Sequence, residues 1–256
     1  MMTTRAKQHG MSLISLMIAL TIGAFLLAGL FTLWLQTRNT LNAQGSLAQL
    51  QDNERMALTV MANTVQDSGY YPIAENYGTS PPSPTLTSTN AFPASTSSTY
   101  SFTAGQYITG TYGGGTTSDT VAVRYMSDGN ALDCLGQLQP NLVVVTNTYT
   151  VSTAGNLTCA VTATTSGGTT TTTQAMPVVS GVSLFTAYYG VDPGNTGSAT
   201  EYMTATEVAS ASYWSNVRSV KLQLTFPNPL SGQAGQNAEL PMIERIVAVT
   251  QTTTSL

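Results

Sequence analysis

Charged residues and histidine are the two things this chain has least of. Only 8% of its 256 residues are charged, against about 25% in an average soluble protein. The sole histidine is His9, so a Ser-His-Asp or Cys-His catalytic site and a histidine-based metal site are excluded from everything downstream of it. Serine, threonine, glycine and asparagine take the place of charge, a composition typical of an exported or assembled protein.

The charges that are present do not form a recognisable site. A pair of carboxylates could in principle act as acid and base, but the 12 acidic residues contain no such motif. Asp52 and Glu54, two apart on a predicted helix, face different directions. Without Arg5 and Lys7, six scattered basic residues remain and the net charge is −6. Since nucleic acid binding needs clustered Lys and Arg, we predict no nucleic acid partner. The lack of histidine after His9 and of a carboxylate motif leads us to predict no metal, no cofactor and no enzymatic activity.

The N-terminal segment carries the clearest signal. A short basic leader ends at Gly10, and residues 11–35 follow without a single charge. About 20 apolar residues are enough to span the hydrocarbon core of a membrane as a helix. In a secretory signal peptide the cleavage site comes after the apolar region, whereas the leader-like glycine here comes before it. Cleavage at Gly10 would therefore leave the apolar helix on the mature protein.

This arrangement resembles the class III signal of type IV prepilins. The family pattern is matched at six positions: Gly10, Ser12, Leu13, Ile14, Leu16 and Met17. The resemblance implies that a prepilin peptidase cuts between Gly10 and Met11 and methylates Met11. The chain departs from the pattern at Ser15, where the family nearly always has glutamate, and mildly at Met11, where the family has phenylalanine. The alternative is an ordinary signal anchor.

The two cysteines, Cys134 and Cys159, lie downstream of this export signal and lack CxxC spacing. Such a pair predicts one disulfide in an oxidising compartment. Two buried free thiols are the alternative.

The rest of the chain predicts one long helix followed by antiparallel strands. Residues 36–68 lack proline, and apolar side chains recur at nearly helical spacing until Gly69, a suitable helix end. Residues 78–118 read as an irregular loop, and the threonines at 169–173 as a polar tract after a turn. Strands are predicted at 119–126, 141–151, 156–164, 178–189, 220–226 and 243–252, with a short helix within 204–214.

The fold class is therefore α+β. By the resemblance it is type IV pilin-like, with a long N-terminal helix packed on an antiparallel β-sheet domain that carries Ser/Thr-rich loop insertions. The predicted parts are a leader (1–10), a transmembrane or filament-core half of the helix (11–35), an amphipathic half (36–69) and a globular β-rich head (70–256).

Several downstream phrases resemble the PilW family of minor type IV pilins. They are Leu50–Leu58 continuing to Asp67–Tyr71, Asp119–Tyr125 with Asp133–Gly136, Val182–Asp192, and Trp214–Val220. The resemblance implies a structural subunit that helps to initiate pilus assembly at or near the pilus tip. Its implied partners are other minor pilins, the major pilin, the prepilin peptidase and the inner-membrane assembly platform.

The same resemblance implies a location. Before assembly the chain would be a single-pass inner-membrane protein with a cytoplasmic N-terminus and a periplasmic head, and after assembly it would lie in the extracellular pilus. Two alternatives remain open, a pseudopilin of a type II secretion system and a membrane-anchored exported adhesin.

The loop after Asp192 is a candidate calcium site. Asp192, Asn195 and Glu201 supply oxygen ligands, but the alternate-position ligands of an EF-hand-type loop are missing. We therefore predict a plain polar turn here.

Overall fold

The N-terminal helix α1 runs from Leu13 to Gln66 in a computed structural model that describes residues 13–72, 87–233 and 235–249. The predicted start at Met11 lies outside the described residues, and the helix ends two residues before the predicted Ser68. It ends where Gly69 adopts a φ of 82°, which favours glycine. The Gly69 N–H leaves the helix to donate to the Arg124 carbonyl oxygen at 2.9 Å.

The described chain divides into two units, Met1–Gln49 and Leu50–Leu256. In the first unit, the large apolar side chains from Leu13 to Trp34 are 51–81% exposed. Threonine hydroxyls at positions 21, 32, 37 and 40 donate to carbonyl oxygens three or four residues earlier, so their polar groups are satisfied within the helix. α1 is the one helix among the described residues that is long and apolar enough to cross a membrane.

The second unit contains three antiparallel sheets. A two-stranded sheet pairs β1 (Ser95–Thr96) with β2 (Ser101–Phe102). A five-stranded sheet has the order β3-β4-β5-β6-β7, with bounds Ile108–Thr111, Thr120–Met126, Val144–Val151, Asn156–Thr164 and Thr170–Ser180. A four-stranded sheet has the order β11-β10-β8-β9, with bounds Ile243–Ala248, Val217–Thr225, Leu184–Val191 and Glu201–Met203.

The described residues also contain two short helices. α2 (Ser88–Ala91) precedes β1, and α3 (Ala205–Ala211) lies between β9 and β10, followed by a single 3₁₀ turn at Trp214–Asn216. The Thr204 hydroxyl and the Glu207 carboxylate cap the start of α3 reciprocally. The short helix predicted within 204–214 is thus confirmed.

The last turns of α1 pack into the core of this unit. Ala57, Met61 and Val65 are completely buried, at the helical spacing that the sequence predicted. The hydroxyls of Thr64 and Tyr149 on β5 are 2.7 Å apart and form a buried hydrogen bond. The helix end is thereby fixed against the five-stranded sheet by both apolar and polar contacts.

Three local predictions need correction. The threonines at 170–173 open strand β7, because β-branched residues favour strands and here they pair with β6. The single strand predicted at 178–189 is two strands, β7 and β8, separated at Gly181 with a φ of 78°. In the predicted loop at 78–118, the described part contains α2 and strands β1 to β3, since Ile108 and its neighbours pair with β4.

The other strand predictions agree with the structure. The strands predicted at 141–151 and 156–164 correspond to β5 and β6, which form a hairpin with a turn at Gly155, where φ is 72°. Val220, Leu222 and Leu224 of β10 are buried. The predicted last strand corresponds to β11, and its residues from 250 onward lie outside the described residues.

Candidate functional site

The processing site predicted at Gly10 and Met11 lies outside the described residues. Ser15 lies in the first turn of the described part of α1 and is exposed. That first turn contains no acidic residue. A carboxylate is therefore missing from the described start of the apolar helix.

The apolar half of α1 offers close approach at its glycines. A β-carbon built at Gly23 or Gly29 would meet no atom within 4 Å. Small residues on apolar helices let a neighbouring helix approach closely. This half of the helix is consequently suited to packing against lipid or other helices.

The structure joins Cys134 and Cys159 in a disulfide, with their Cα atoms 6.4 Å apart. Cys159 lies on β6 and is fully buried. Cys134 lies in the loop between β4 and β5, where its N–H donates to the Asn147 side-chain oxygen at 3.1 Å. The bridge therefore ties a loop without regular structure to the middle of the sheet.

Asp133 organises the loop around the bridge. Its carboxylate accepts the N–H groups of Leu135 and Gln137, both at 2.9 Å, and the Gln139 side-chain amide at 2.7 Å. Gly136 completes the turn with a φ of 74°. The loop conformation is thus fixed by one carboxylate and one disulfide.

A groove of about 840 Å³ separates this loop from α1 and β7, and we call it the helix–loop groove. Its lining includes Met56 and Val60 of α1, Leu132 and Leu135 of the loop, and Met176 of β7. Met56, Leu132 and Met176 are each about half exposed, at 51–53%. Flexible methionines at an exposed groove can adapt to more than one partner shape.

Arg124 of β4 is fully buried and was not singled out from the sequence. Its guanidinium donates to four backbone carbonyl oxygens, those of Phe92, Pro93, Thr103 and Gln106, at 2.6–3.3 Å. The rings of Phe92 and Phe102 lie 5.4 and 4.3 Å from its central carbon. All four acceptors belong to residues 92–106, which we call the cover segment.

Burial lowers the pKa of Arg124 to about 10, which still leaves the guanidinium charged at neutral pH. The sequence signal was present, because Arg124 is the single charged residue in the alternating strand Thr120–Met126. The arginine acts as a clamp that holds the cover segment against the outer face of the sheet.

The Asp192 loop is a polar turn. The buried Asp192 carboxylate accepts the N–H groups of Thr196 (2.8 Å) and Gly197 (2.7 Å), and lies 3.4 Å from the Arg218 guanidinium. Burial acts to raise the pKa of Asp192, but these donors outweigh it and the pKa lies below its usual value. The carboxylate is thus engaged by the protein's own donors. Among the described residues, no group of three metal-ligating side chains was found.

The chain matches two known families. Residues 148–253 match the family described as Type IV Pilus-assembly protein W, and residues 5–31 match the prokaryotic N-terminal methylation motif. A similar solved structure is a type IV-like pilin from Thermus thermophilus, with 15% identity and a TM-score of 0.44, covering 78% of this chain and 97% of that one. No curated protein matches the chain.

Proposed function

We propose that the chain is a PilW-family minor type IV pilin, a structural subunit that helps to start pilus assembly and lies at or near the pilus tip. The observation that carries the proposal is the presence on one chain of the methylation motif at 5–31 and the PilW segment at 148–253. The matched families are structural pilins, and we propose that this subunit has no catalytic activity and acts in stoichiometric, low-copy amounts.

In this proposal the N-terminal helix has two roles, first as a membrane anchor and then as the part of the subunit that packs in the filament. The prepilin peptidase removes residues 1–10 and methylates Met11, while residues 11–35 span the inner membrane and the head at 70–256 lies in the periplasm. The exposed apolar side chains from Leu13 to Trp34 then exchange lipid for neighbouring pilin helices in the filament. The amphipathic part, 36–69, connects this assembly helix to the head.

The residue at position 15 supports a place at the tip. By resemblance, the glutamate usual at this position offsets the N-terminal amine of a subunit already in the filament. Leaving an ammonium buried without a counter-charge costs several kcal/mol, and the neutral Ser15 hydroxyl supplies no such charge. A subunit that enters first has no earlier neighbour whose amine needs a carboxylate.

The helix–loop groove is the surface that we assign to a neighbouring pilin head. Its half-exposed rim residues Met56, Leu132 and Met176 surround a concave surface next to α1. Binding another subunit there would bury apolar area beside the last turns of α1. Other minor pilins and the major pilin are the partners that this arrangement suits.

The test combines a clean deletion with position mapping. Deletion should reduce surface pili and twitching or attachment, and a wild-type copy should restore them. On sheared pili, immunogold labelling should find the subunit at one end. Labels spaced along the shaft would contradict the assignment to the tip. Normal piliation with a defect in protein secretion would instead support a secretion pseudopilin.

Ser15→Glu is the variant that probes the assembly argument, with Ser12→Thr as a control that keeps a hydroxyl in the same segment. Ser15→Glu should allow incorporation at positions away from the end. If Ser15→Glu and wild-type subunits show the same end-restricted labelling, Ser15 is not what restricts the position.

A further inference from the structure

A second cavity, on the opposite face of the five-stranded sheet from α1, is lined mainly by serine and threonine residues. It has a volume of about 450 Å³ and lies between the sheet and residues 93–100 of the cover segment. Twelve of its eighteen lining residues are serine or threonine. We call this cavity the hydroxyl cleft.

The floor of the hydroxyl cleft is set by strand register. Arg124, Thr146, Thr162 and Thr172 pair in succession across β4, β5, β6 and β7. Paired residues point to the same face, and their side chains stand about 5 Å apart. The core side chains Val145 and Tyr149 point to the other face, as the strand alternation requires. The result is an ordered row of hydroxyl groups that ends at a buried cation.

Two of these threonines are largely buried and open onto the cleft. Thr146 and Thr148 are only 4% and 5% exposed, and both line the cleft. Within the part of the chain that the structure describes, neither hydroxyl is engaged by a protein group, and neither is among the polar atoms that are sealed from solvent without a partner. Both hydroxyls are therefore free to hydrogen-bond to water or to a ligand that enters the cleft.

The electrostatics of the cleft limit what can enter. Among the described residues that line it there is no Asp, Glu or Lys, and Arg124 is the one that carries a charge. The Arg124 donors are taken by the carbonyl oxygens of the cover segment. A cationic ligand would be repelled, and an anionic ligand would find no free charged donor.

We propose that the hydroxyl cleft binds an uncharged saccharide unit. Each threonine hydroxyl can donate one and accept two hydrogen bonds, which matches the hydroxyls of a sugar. The threonine methyl groups, Ala160 and Ala175 provide apolar contact for the C–H faces of the ring, and Tyr100 contributes an aromatic ring to the lining. The volume lies within the range of about 300–1,000 Å³ usual for small-ligand pockets. This activity goes beyond assembly and would give the head a role of its own.

The test uses the full mature chain in a zwitterionic detergent without a sugar headgroup. The probes are glucose, galactose, mannose, N-acetylglucosamine and their disaccharides, with sialic acid and glucuronic acid as charged comparisons. Saturation-transfer NMR detects binding, and titration gives the dissociation constant. At least one uncharged sugar should bind, and the charged sugars should bind more weakly.

The double variant Thr146→Val/Thr148→Val removes the two hydroxyls and keeps their shape. It should weaken binding about tenfold, the factor that two hydrogen bonds of modest net strength amount to. Its thermal stability should stay near wild type, because these hydroxyls have no protein partner. Thr171→Val is the matched control, since Thr171 is exposed on β7 and faces away from the cleft.

A second variant guards against misfolding of the first. Thr172→Leu adds bulk at an exposed position on the cleft and should also weaken binding. The proposal is overturned if no uncharged sugar binds or if only the charged sugars bind. It is also overturned if Thr146→Val/Thr148→Val and Thr172→Leu bind the sugar with the same dissociation constant as the control Thr171→Val.

Discussion

The Arg124 clamp allows a quantitative prediction. Arg124→Met keeps a side chain that can lie between Phe92 and Phe102, but it removes every donor to the cover segment. Four backbone carbonyl oxygens then lose a charged hydrogen bond. At about 1.5–3 kcal/mol each these bonds sum to about 6–12 kcal/mol.

Part of that sum is offset. Burying a cation costs several kcal/mol, and this cost disappears in the methionine variant. We therefore expect the free energy of unfolding to fall by about 3–5 kcal/mol, which for a chain of this size lowers Tm by about 6–20 °C. Arg124→Lys should lower the free energy of unfolding by more than half of the amount expected for Arg124→Met, because an ammonium has three donors and lacks the planar geometry of the guanidinium.

The assay is thermal and denaturant unfolding combined with amide hydrogen exchange of residues 92–106. Arg245→Met is the matched control, since Arg245 is exposed on β11 and its loss should change stability by about 0.5 kcal/mol at most. A loss below about 1 kcal/mol for Arg124→Met, or unchanged exchange in the cover segment, would refute the clamp.

Three further predictions follow from the other sites. Mass spectrometry of the mature protein should show an N-methylated Met11 at its N-terminus. Gly10→Leu should leave the full-length precursor in the membrane. A mature N-terminus near Ala43 would contradict the prepilin assignment. Intact-mass analysis should show no free thiol until reductant is added. Cys134→Ala/Cys159→Ala should lower the free energy of unfolding by about 3.5 kcal/mol, because the disulfide no longer closes a loop between cysteines 25 residues apart. Alkylatable thiols in the native exported protein would contradict the disulfide. The pKa of Asp192 is lowered from 3.8, so its ionised form stabilises the fold above about pH 4, and this contribution is lost as the pH falls through the folded-state pKa. Asp192→Asn should therefore flatten the acid limb of a plot of Tm against pH, whereas the control Asp52→Asn should not. Equal profiles for the two variants would contradict this role of Asp192.

The elements that could be predicted from sequence are those with a strong local signal. α1 lacks proline, carries apolar residues at helical spacing and is followed by Gly69, so its existence could be predicted, and its end to within two residues. The β5–β6 hairpin has alternating strands around a glycine turn. The methylation motif matched at residues 5–31 is likewise local, because it is one continuous segment of sequence.

The features that could not be predicted depend on pairing between distant segments. The threonine run at 170–173 becomes a strand only because β6 supplies its partners. The helix–loop groove brings together α1, the Cys134 loop and β7. Arg124 is one charged residue in an apolar strand, and its role depends on a segment about 20–30 residues earlier that carries no matching charge.

Strand β7 has a consequence for solubility. It is the outermost strand of the five-stranded sheet, and none of its eleven residues is charged. Proteins commonly guard such edges against self-association with lysine, proline or bulges. Here Pro177 and the two register irregularities opposite β6 provide that protection. Resistance to edge-to-edge aggregation thus depends on backbone geometry, and it should persist at salt concentrations that abolish protection by charge.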